Sequence, residues 1–468
     1  MPFLDKLQRW AGQRPHDTAV VIAGRRLDWE QLRDAAKDEV AGTKSVTALC
    51  EANSVDFAVK FAAAVAGRRQ CAVLDPAWPK SLQEDIVRRV EACADSASVS
   101  PDDGLADGPA VSTFLIGLTS GTTAVPKAFT RSRRSWQQSF DASIEFFGLR
   151  QDDVTLAPGP LAASLNLYAL AECLYAGSEF HTLQTFDVGD VHAAITHDRV
   201  TRLVLVPTML RMLSERGMTG CVDASGIRTI ICAGSKLDAR TLEAARRWAP
   251  NATIYEYYGA SELSFVSGLG LSPGQEATAG GTGIGRPFPG VDVRILDDEG
   301  APVPDGSYGN ICVRSGMVGN GYLWGDDGEA MRCFGDWYTV GDQGYLADGE
   351  LHILGRRADM ILTAGRNVYP HEVELALAAV PGVSAAVAAG MTDELRGQRV
   401  VAGVVPSHGG ISATQLRAGL EDILSRHKRP SQYYLLAELP TTDRGKVSRN
   451  LLLEWINARD PRVRALGA

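Results

Sequence analysis

The chain has 468 residues, 45% hydrophobic and 22% charged, enough to bury large cores and to form more than one domain. Its 47 basic and 56 acidic side chains leave a formal net charge of -9, and no basic stripe is interleaved with aromatics. That balance argues against a nucleic-acid-binding role. Cys50, Cys71, Cys93, Cys173, Cys221, Cys232, Cys312 and Cys333 show no paired metal spacing, so free thiols in a reducing compartment are expected rather than disulfides or zinc. Residues 1–6 carry no signal-peptide core, and no apolar run reaches membrane-spanning length, so a cytoplasmic location without a membrane-spanning segment is expected.

The first informative element is the apolar run 113–118, which suits a buried strand feeding the loop Thr119-Ser120-Gly121-Thr122-Thr123-Ala124-Val125-Pro126-Lys127. Gly121 lets the backbone approach an anion closely. Thr119, Ser120, Thr122 and Thr123 offer hydroxyl donors, and Lys127 adds positive charge. This composition makes a phosphate cradle, although a plain Ser/Thr/Gly turn has the same letters. The Walker spacing is missing, which disfavours a P-loop NTPase. The basic cluster Arg131-Ser132-Arg133-Arg134 reads as a solvated face or as a helix start beside the loop, and Arg68-Arg69 as a solvated face.

Two later strand-like runs end in polar loops: 228–232 enters Ala233-Gly234-Ser235-Lys236, and 252–257 enters Tyr258-Gly259-Ala260-Ser261-Glu262. Open α/β sheets place ligands at the carboxyl ends of their strands, so these loops are expected to meet around one ligand. Tyr258, with Tyr257 beside it, offers a flat face for a purine; Gly259 allows close approach; Ser261 offers a hydroxyl to phosphate; Glu262 can hold Mg²⁺. An ordinary strand-to-helix turn with a capping Ser and Glu is the alternative. The glycine-rich segment 280–287 is followed by Pro287 and Pro289-Gly290, which suits a loop rather than the helix-opening dinucleotide fingerprint. Alternation over 291–296 with Asp298-Glu299-Gly300 predicts a hairpin. After the strand-like 337–340, Asp342 can accept both hydroxyls of a ribose or serve as a turn residue.

These segments occur in a recognisable order: Thr119-Ser120-Gly121-Thr122-Thr123, Tyr258-Gly259-Ala260-Ser261-Glu262, Tyr338-Thr339-Val340-Gly341-Asp342, Gly355-Arg356-Arg357-Ala358-Asp359-Met360-Ile361, and Gly445-Lys446. The order resembles the adenylate-forming superfamily of acyl-CoA synthetases, peptide-synthetase adenylation domains and luciferases, over nearly the whole chain. Lys127-Ala128-Phe129-Thr130-Arg131-Ser132 and Leu74-Asp75-Pro76-Ala77-Trp78-Pro79 look most like compact bacterial fatty-acid or carboxylate CoA ligases. The resemblance implies an α/β fold: a large N-terminal domain of α/β layers, residues 1–357, with a small β-rich subdomain over 285–341. A small mobile α+β C-terminal domain, 358–468, would follow. It places Arg356 near ribose and phosphate, just ahead of a hinge, where relatives commonly carry Asp or Lys and this chain has Ala358.

In chemical terms the resemblance implies ATP and Mg²⁺ as cofactors, a small-molecule acid as substrate, and CoA as the expected acceptor. Attack of a carboxylate on the α-phosphate needs cations and oriented donors more than a general base. Lys446 would bridge carboxylate and α-phosphate, Glu262 and Thr119 would serve the metal, and the threonine loop would hold pyrophosphate. Relatives often carry His near Ala163 at the gate of the acid pocket, and Ala124 replaces a second loop glycine. Asn166, Tyr168, Lys236 and Ser264 are candidate polar contacts to the acid. Three other functions fit the same residues: loading of a separate carrier protein's phosphopantetheine arm, diazotase-like activation of nitrite for an amine, and a silent AMP-binding protein. The last has no need of Lys446.

Overall fold

The computed structural model describes residues 3–93, 104–119, 125–275, 283–326, 328, 330–407, 410–441 and 447–467. Ser120, Gly121, Thr122, Thr123 and Lys446 lie outside the described residues, as do residues 280–282 of the glycine-rich 280–287 segment. The chain falls into two compact units. One comprises Met1–Ala277, Ile284–Val293 and Cys312–Val340; the other comprises Thr278–Gly283, Arg294–Ile311 and Gly341–Ala468.

The first unit is built on two sheets. The larger has nine strands in the order Arg286–Pro287, Ser264–Leu271, Thr253–Ala260, Thr229–Cys232, Arg202–Leu205, Val154–Leu156, Glu179–Thr182, Thr18–Ile22 and Arg25–Asp28. Its centre is parallel and its margins antiparallel. Residues alternate across it: Leu203, Leu205, Ile230, Cys232 and Ile254 bury one face with Leu210, Leu213, Leu242 and Trp248 of the helices Pro207–Thr219 and Ala239–Trp248. The other face carries aromatics, with Phe147 of the helix Arg133–Phe147 lying 5.3 Å from Tyr255 and 5.7 Å from Phe265, ring to ring. That helix starts where Ser132 accepts from the Ser135 amide and stops at Gly148, whose φ of 65° closes it in the left-handed region.

The smaller sheet runs Tyr322–Trp324, Lys127–Ser132, Thr113–Thr119, Gln70–Val73 and Val46–Leu49. The expected strand at 113–118 is present and extends to Thr119. Arg131 and Arg133 are not solvated as the sequence suggested: both are buried, as is Arg69. The reason is local polarity. Arg133 donates to the carbonyls of Val65 (2.8 Å), Arg69 (2.9 Å) and Thr113 (3.0 Å), so its charge sits among backbone oxygens. Of the two readings of that cluster, the helix start is the one adopted.

In the Gly341–Ala468 part of the second unit the first element is the hairpin Asp342–Ala347/Glu350–Arg356, turned by Asp348 (φ 52°) and Gly349 (φ 76°). A 3-10 turn, Arg357–Asp359, contains Ala358. Then comes a sheet ordered Arg366–Val368, Ile361–Thr363, Gly397–Pro406, Gln432–Leu436, Val463–Ala465, with Val383–Asp393 paired along Gly397–Pro406. The helices Pro370–Ala378 and Ala413–Leu420 cover one face, and Arg449–Ala458 contributes Leu452 to the core on the other.

Candidate active site

In the first unit the site centres on a turn. Residues 253–260 and 264–271 form a β-hairpin, so the segment around Ser261-Glu262 does not open a helix. The hairpin is tight. A β-carbon on Gly259 would stand 2.3 Å from the Ser264 carbonyl oxygen, and Ser264 itself takes φ 68°, a strained value for a residue with a side chain.

Glu262 is buried and held at both ends. Its carbonyl accepts from Gly319 N (2.7 Å) and Arg131 Nη1 (3.1 Å), and its carboxylate accepts from the Tyr322 hydroxyl. The segment 319–321 is laced to the strand that carries Arg131, through Asn320 N to Thr130 O and Thr130 N to Gly321 O, both 2.9 Å. Gly319 has to be glycine there, because a β-carbon would meet Thr130 O at 2.9 Å. Burial pushes the Arg131 guanidinium down to about 10, against the pull of Tyr168 and Glu262. Arg131 and Tyr322 therefore fix the position of Glu262, and sequence reasoning missed both. The adjacency of Tyr322 to a glycine-rich stretch was the available signal.

The same lacing positions the phosphate loop's ends. Thr119 pairs in register with Lys127, and Trp324 Nε1 donates to Pro126 O at 2.9 Å. Thr119 and Lys127 thus flank the loop as strand termini, Lys127 on the strand paired with the one that carries Tyr322 and Thr119 one strand further on.

The acid-side candidates divide. Ala163 precedes the helix Ser164–Ala176, and the Ser261 hydroxyl reaches Ser164 Oγ at 3.2 Å, so the gate and the Glu262 turn adjoin. Asn166 is buried against Gly159, where a β-carbon would stand 2.4 Å from its Nδ2. Tyr168 is half-buried and donates to Ser139 Oγ at 3.0 Å. Lys236 forms an ion pair with Glu256 at 2.9 Å, and Glu256 also accepts from the Leu237 amide at 2.7 Å. That pair shapes the loop in which Gly234 (φ 94°) and the exposed Ser235 follow the strand Thr229–Cys232. This strand and the one bearing Tyr257 and Tyr258 are parallel neighbours, so both loops leave the same sheet edge. Tyr257 is directed to the aromatic face, its ring 4.8 Å from Phe265.

In the second unit Asp342 and Arg356 are cross-strand partners, Asp342 Oδ1 to Arg356 Nε 3.4 Å, with the carboxylate buried and the guanidinium exposed. On either side of residues 442–446, Thr441 bridges to Val447, and Ser448 N donates to Pro440 O at 2.7 Å. Ser448 then caps the helix that starts at Arg449. Among the described residues no group of three His, Cys, Asp or Glu side chains could hold a metal by itself. A single buried carboxylate such as Glu262 suits Mg²⁺, which shares its coordination with substrate phosphates and water.

Residues 62–323 match the model of the AMP-binding enzyme family, and residues 372–446 match that of the AMP-binding enzyme C-terminal domain. The chain belongs to the AMP-binding enzyme family and is an adenylate-forming enzyme of the acyl-CoA synthetase type. It is 33% identical over 344 residues to the uncharacterized acyl-CoA ligase YhfT of Bacillus subtilis, covering 73% of this chain and 68% of that one. It is 27% identical over 460 residues to the putative long chain fatty acid-CoA ligase VraA of Staphylococcus epidermidis, covering 96% and 97%. Among solved structures, the amide bond synthetase McbA of Marinactinospora thermotolerans superposes with a TM-score of 0.84 at 25% identity, covering 97% of this chain and 99% of that one.

Proposed function

We propose that this enzyme joins a carboxylic acid to a thiol in two steps at the expense of ATP, with CoA as the thiol. In the first step a carboxylate oxygen attacks the α-phosphorus, the bond to the bridging oxygen breaks, and pyrophosphate leaves acyl-AMP behind. In the second a thiol loses its proton and attacks the acyl carbonyl, and AMP departs. The observation that carries this reading is the buried Glu262, its backbone carbonyl held by Arg131 and its carboxylate by Tyr322, whose strand pairs with the one that starts at Lys127.

Mg²⁺ on Glu262, with Thr119 beside it, would neutralise phosphate oxygens as charge develops. Ser120, Gly121, Thr122, Thr123 and Lys127 would hold the departing pyrophosphate; Gly234, Ser235, Tyr258, Gly259 and Ser261 would border the adenosine phosphate, whereas Tyr257, its ring 4.8 Å from Phe265, would face away from it. Asp342 and Arg356 would take the ribose, and Lys446 would supply the countercharge for the attacking carboxylate. Turning at residues 357–358 would exchange the two half-reactions. A cytoplasmic setting is supported by eight free cysteines, of which Cys71, Cys173, Cys232 and Cys312 are buried. No helix among the described residues is long and apolar enough to cross a membrane.

Acid-dependent ATP–pyrophosphate exchange tests the first step. Lys446→Ala should lower it by about 10²–10³, and exchange at the parent rate would remove Lys446 from the role. Offering CoA, a holo-carrier protein or an amine to the loaded enzyme tests the acceptor; thioester with CoA is the expected product.

A further inference from the structure

This inference rests on the adenylation reading and concerns the acid. Ser164, Tyr168 and Glu172 recur every four residues on the helix Ser164–Ala176, so they form one column on a single face. Ser164 meets the Ser261-Glu262 turn at the mouth. One helical turn deeper, about 6 Å along the axis, the half-buried Tyr168 stands between Ser139 (3.0 Å) and Ser143 (3.1 Å), with its ring 5.3 Å from Phe265. Phe265 in turn packs on Tyr257 at 4.8 Å, so the rings of Tyr168, Phe265 and Tyr257 form one continuous wall.

Behind the wall the interior is charged and occupied. Glu172 pairs with Arg202 at 2.6 Å, each side chain 2% exposed, and also accepts from Ser143. An apolar tail passing this level would have to break a linked set of buried hydrogen bonds and separate an ion pair away from water. We infer that the enzyme activates short, compact carboxylic acids, and that Tyr168 and Tyr257 are specificity-determining residues ending the acyl site about one helical turn inside the mouth.

The test is ATP–pyrophosphate exchange by the full chain with straight-chain acids of increasing length, comparing the parent with Tyr257→Phe and Tyr257→Ala. The parent's kcat/KM should peak among the shortest acids and fall about tenfold for a methylene that meets the wall. Tyr257→Phe keeps the ring and should keep this profile, whereas Tyr257→Ala should raise kcat/KM on longer acids by about tenfold or more. Tyr257→Leu makes the same comparison with a smaller change should the alanine variant fail to fold. A parent that exchanges best with long acids, or a Tyr257→Leu profile identical to the parent's, overturns the inference while leaving adenylation intact. No exchange with any acid in the series overturns the adenylation reading and the inference together.

Discussion

Arg449 spans Asp359 and Glu374: its Nη1 lies 3.2 Å from Asp359 and its Nη2 3.0 Å from both Glu374 oxygens. Asp359 closes the 3-10 turn containing Ala358, and Arg449 stands three positions after Lys446 in the chain. The fork of one guanidinium thus ties the start of the Arg449–Ala458 helix to the turn that contains Ala358. Loss of the clamp should misplace Lys446, and a displacement of about 1 Å in a catalytic group costs roughly a hundredfold. Arg449→Ala is expected to cut pyrophosphate exchange on that scale, while thioester formation from added acyl-adenylate, which does not use Lys446, stays near the parent rate. Arg449→Lys should restore only part, because an ammonium cannot reproduce the fork. Equal loss in both half-reactions would reduce the clamp to a support of the fold.

The same clamp makes a pH prediction. Burial opposes ionisation of Glu374, but the His371 hydrogen bond and the Arg449 charge outweigh it and hold the carboxyl below its ordinary value of 4.5. A lowered folded-state pKa means that the ionised group stabilises the protein above its unfolded value, and that this contribution fades as pH falls through the folded one. Glu374→Gln should therefore lower Tm at neutral pH, and the gap between parent and variant should narrow as acid is added. Thermal melts between about pH 6 and pH 3 check it, and a gap that stays constant would assign the effect to packing.

Much of the site could be read from short-range signals, because glycine, hydroxyl and charge at strand ends carry their chemistry locally. The strand into Thr119 and the shared sheet edge of Gly234 and Tyr258 follow from such runs. What could not be read depends on partners distant in sequence. The run Arg131-Ser132-Arg133-Arg134 reads as a solvated face or a helix start because basic and polar letters in a row suit either, whereas the fold offers Arg131 the carbonyls of Ser261 and Glu262, 130 and 131 residues away. Lys236 was set toward the acid, yet Glu256, twenty residues later, takes its ammonium. The hairpin after Glu262 was ambiguous because Ser and Glu cap helices as readily as they line a turn; it was decided by pairing with Ser264–Leu271.

Glu262 and Tyr322 should be separable by metal. Glu262→Gln keeps shape but removes the charge, so exchange activity should require more Mg²⁺ to saturate. Tyr322→Phe removes one hydrogen bond to a charged group, and about tenfold of activity should go with it, at a nearly unchanged Mg²⁺ midpoint. Magnesium titrations of both variants against the parent decide between them. Coincident curves for Glu262→Gln and parent would show that another group holds the metal.

The Glu172–Arg202 pair gives the sharpest stability prediction, because neither side chain has water to fall back on. Removing one charge leaves the other buried without its countercharge, which typically costs about 3–5 kcal/mol. Glu172→Gln and Arg202→Met are each expected to lower the urea midpoint accordingly, with Glu172→Gln also weakening the Ser143 hydroxyl's acceptor. The double variant Glu172→Leu/Arg202→Met removes both charges at once and replaces them with apolar volume, so it should recover most of the loss. The double variant also bears on the acyl site, since it turns the charged interior behind Tyr168 apolar while leaving the aromatic wall in place. If the three variants lose stability additively, the two groups do not act as a pair and the interior behind the wall is held by packing alone.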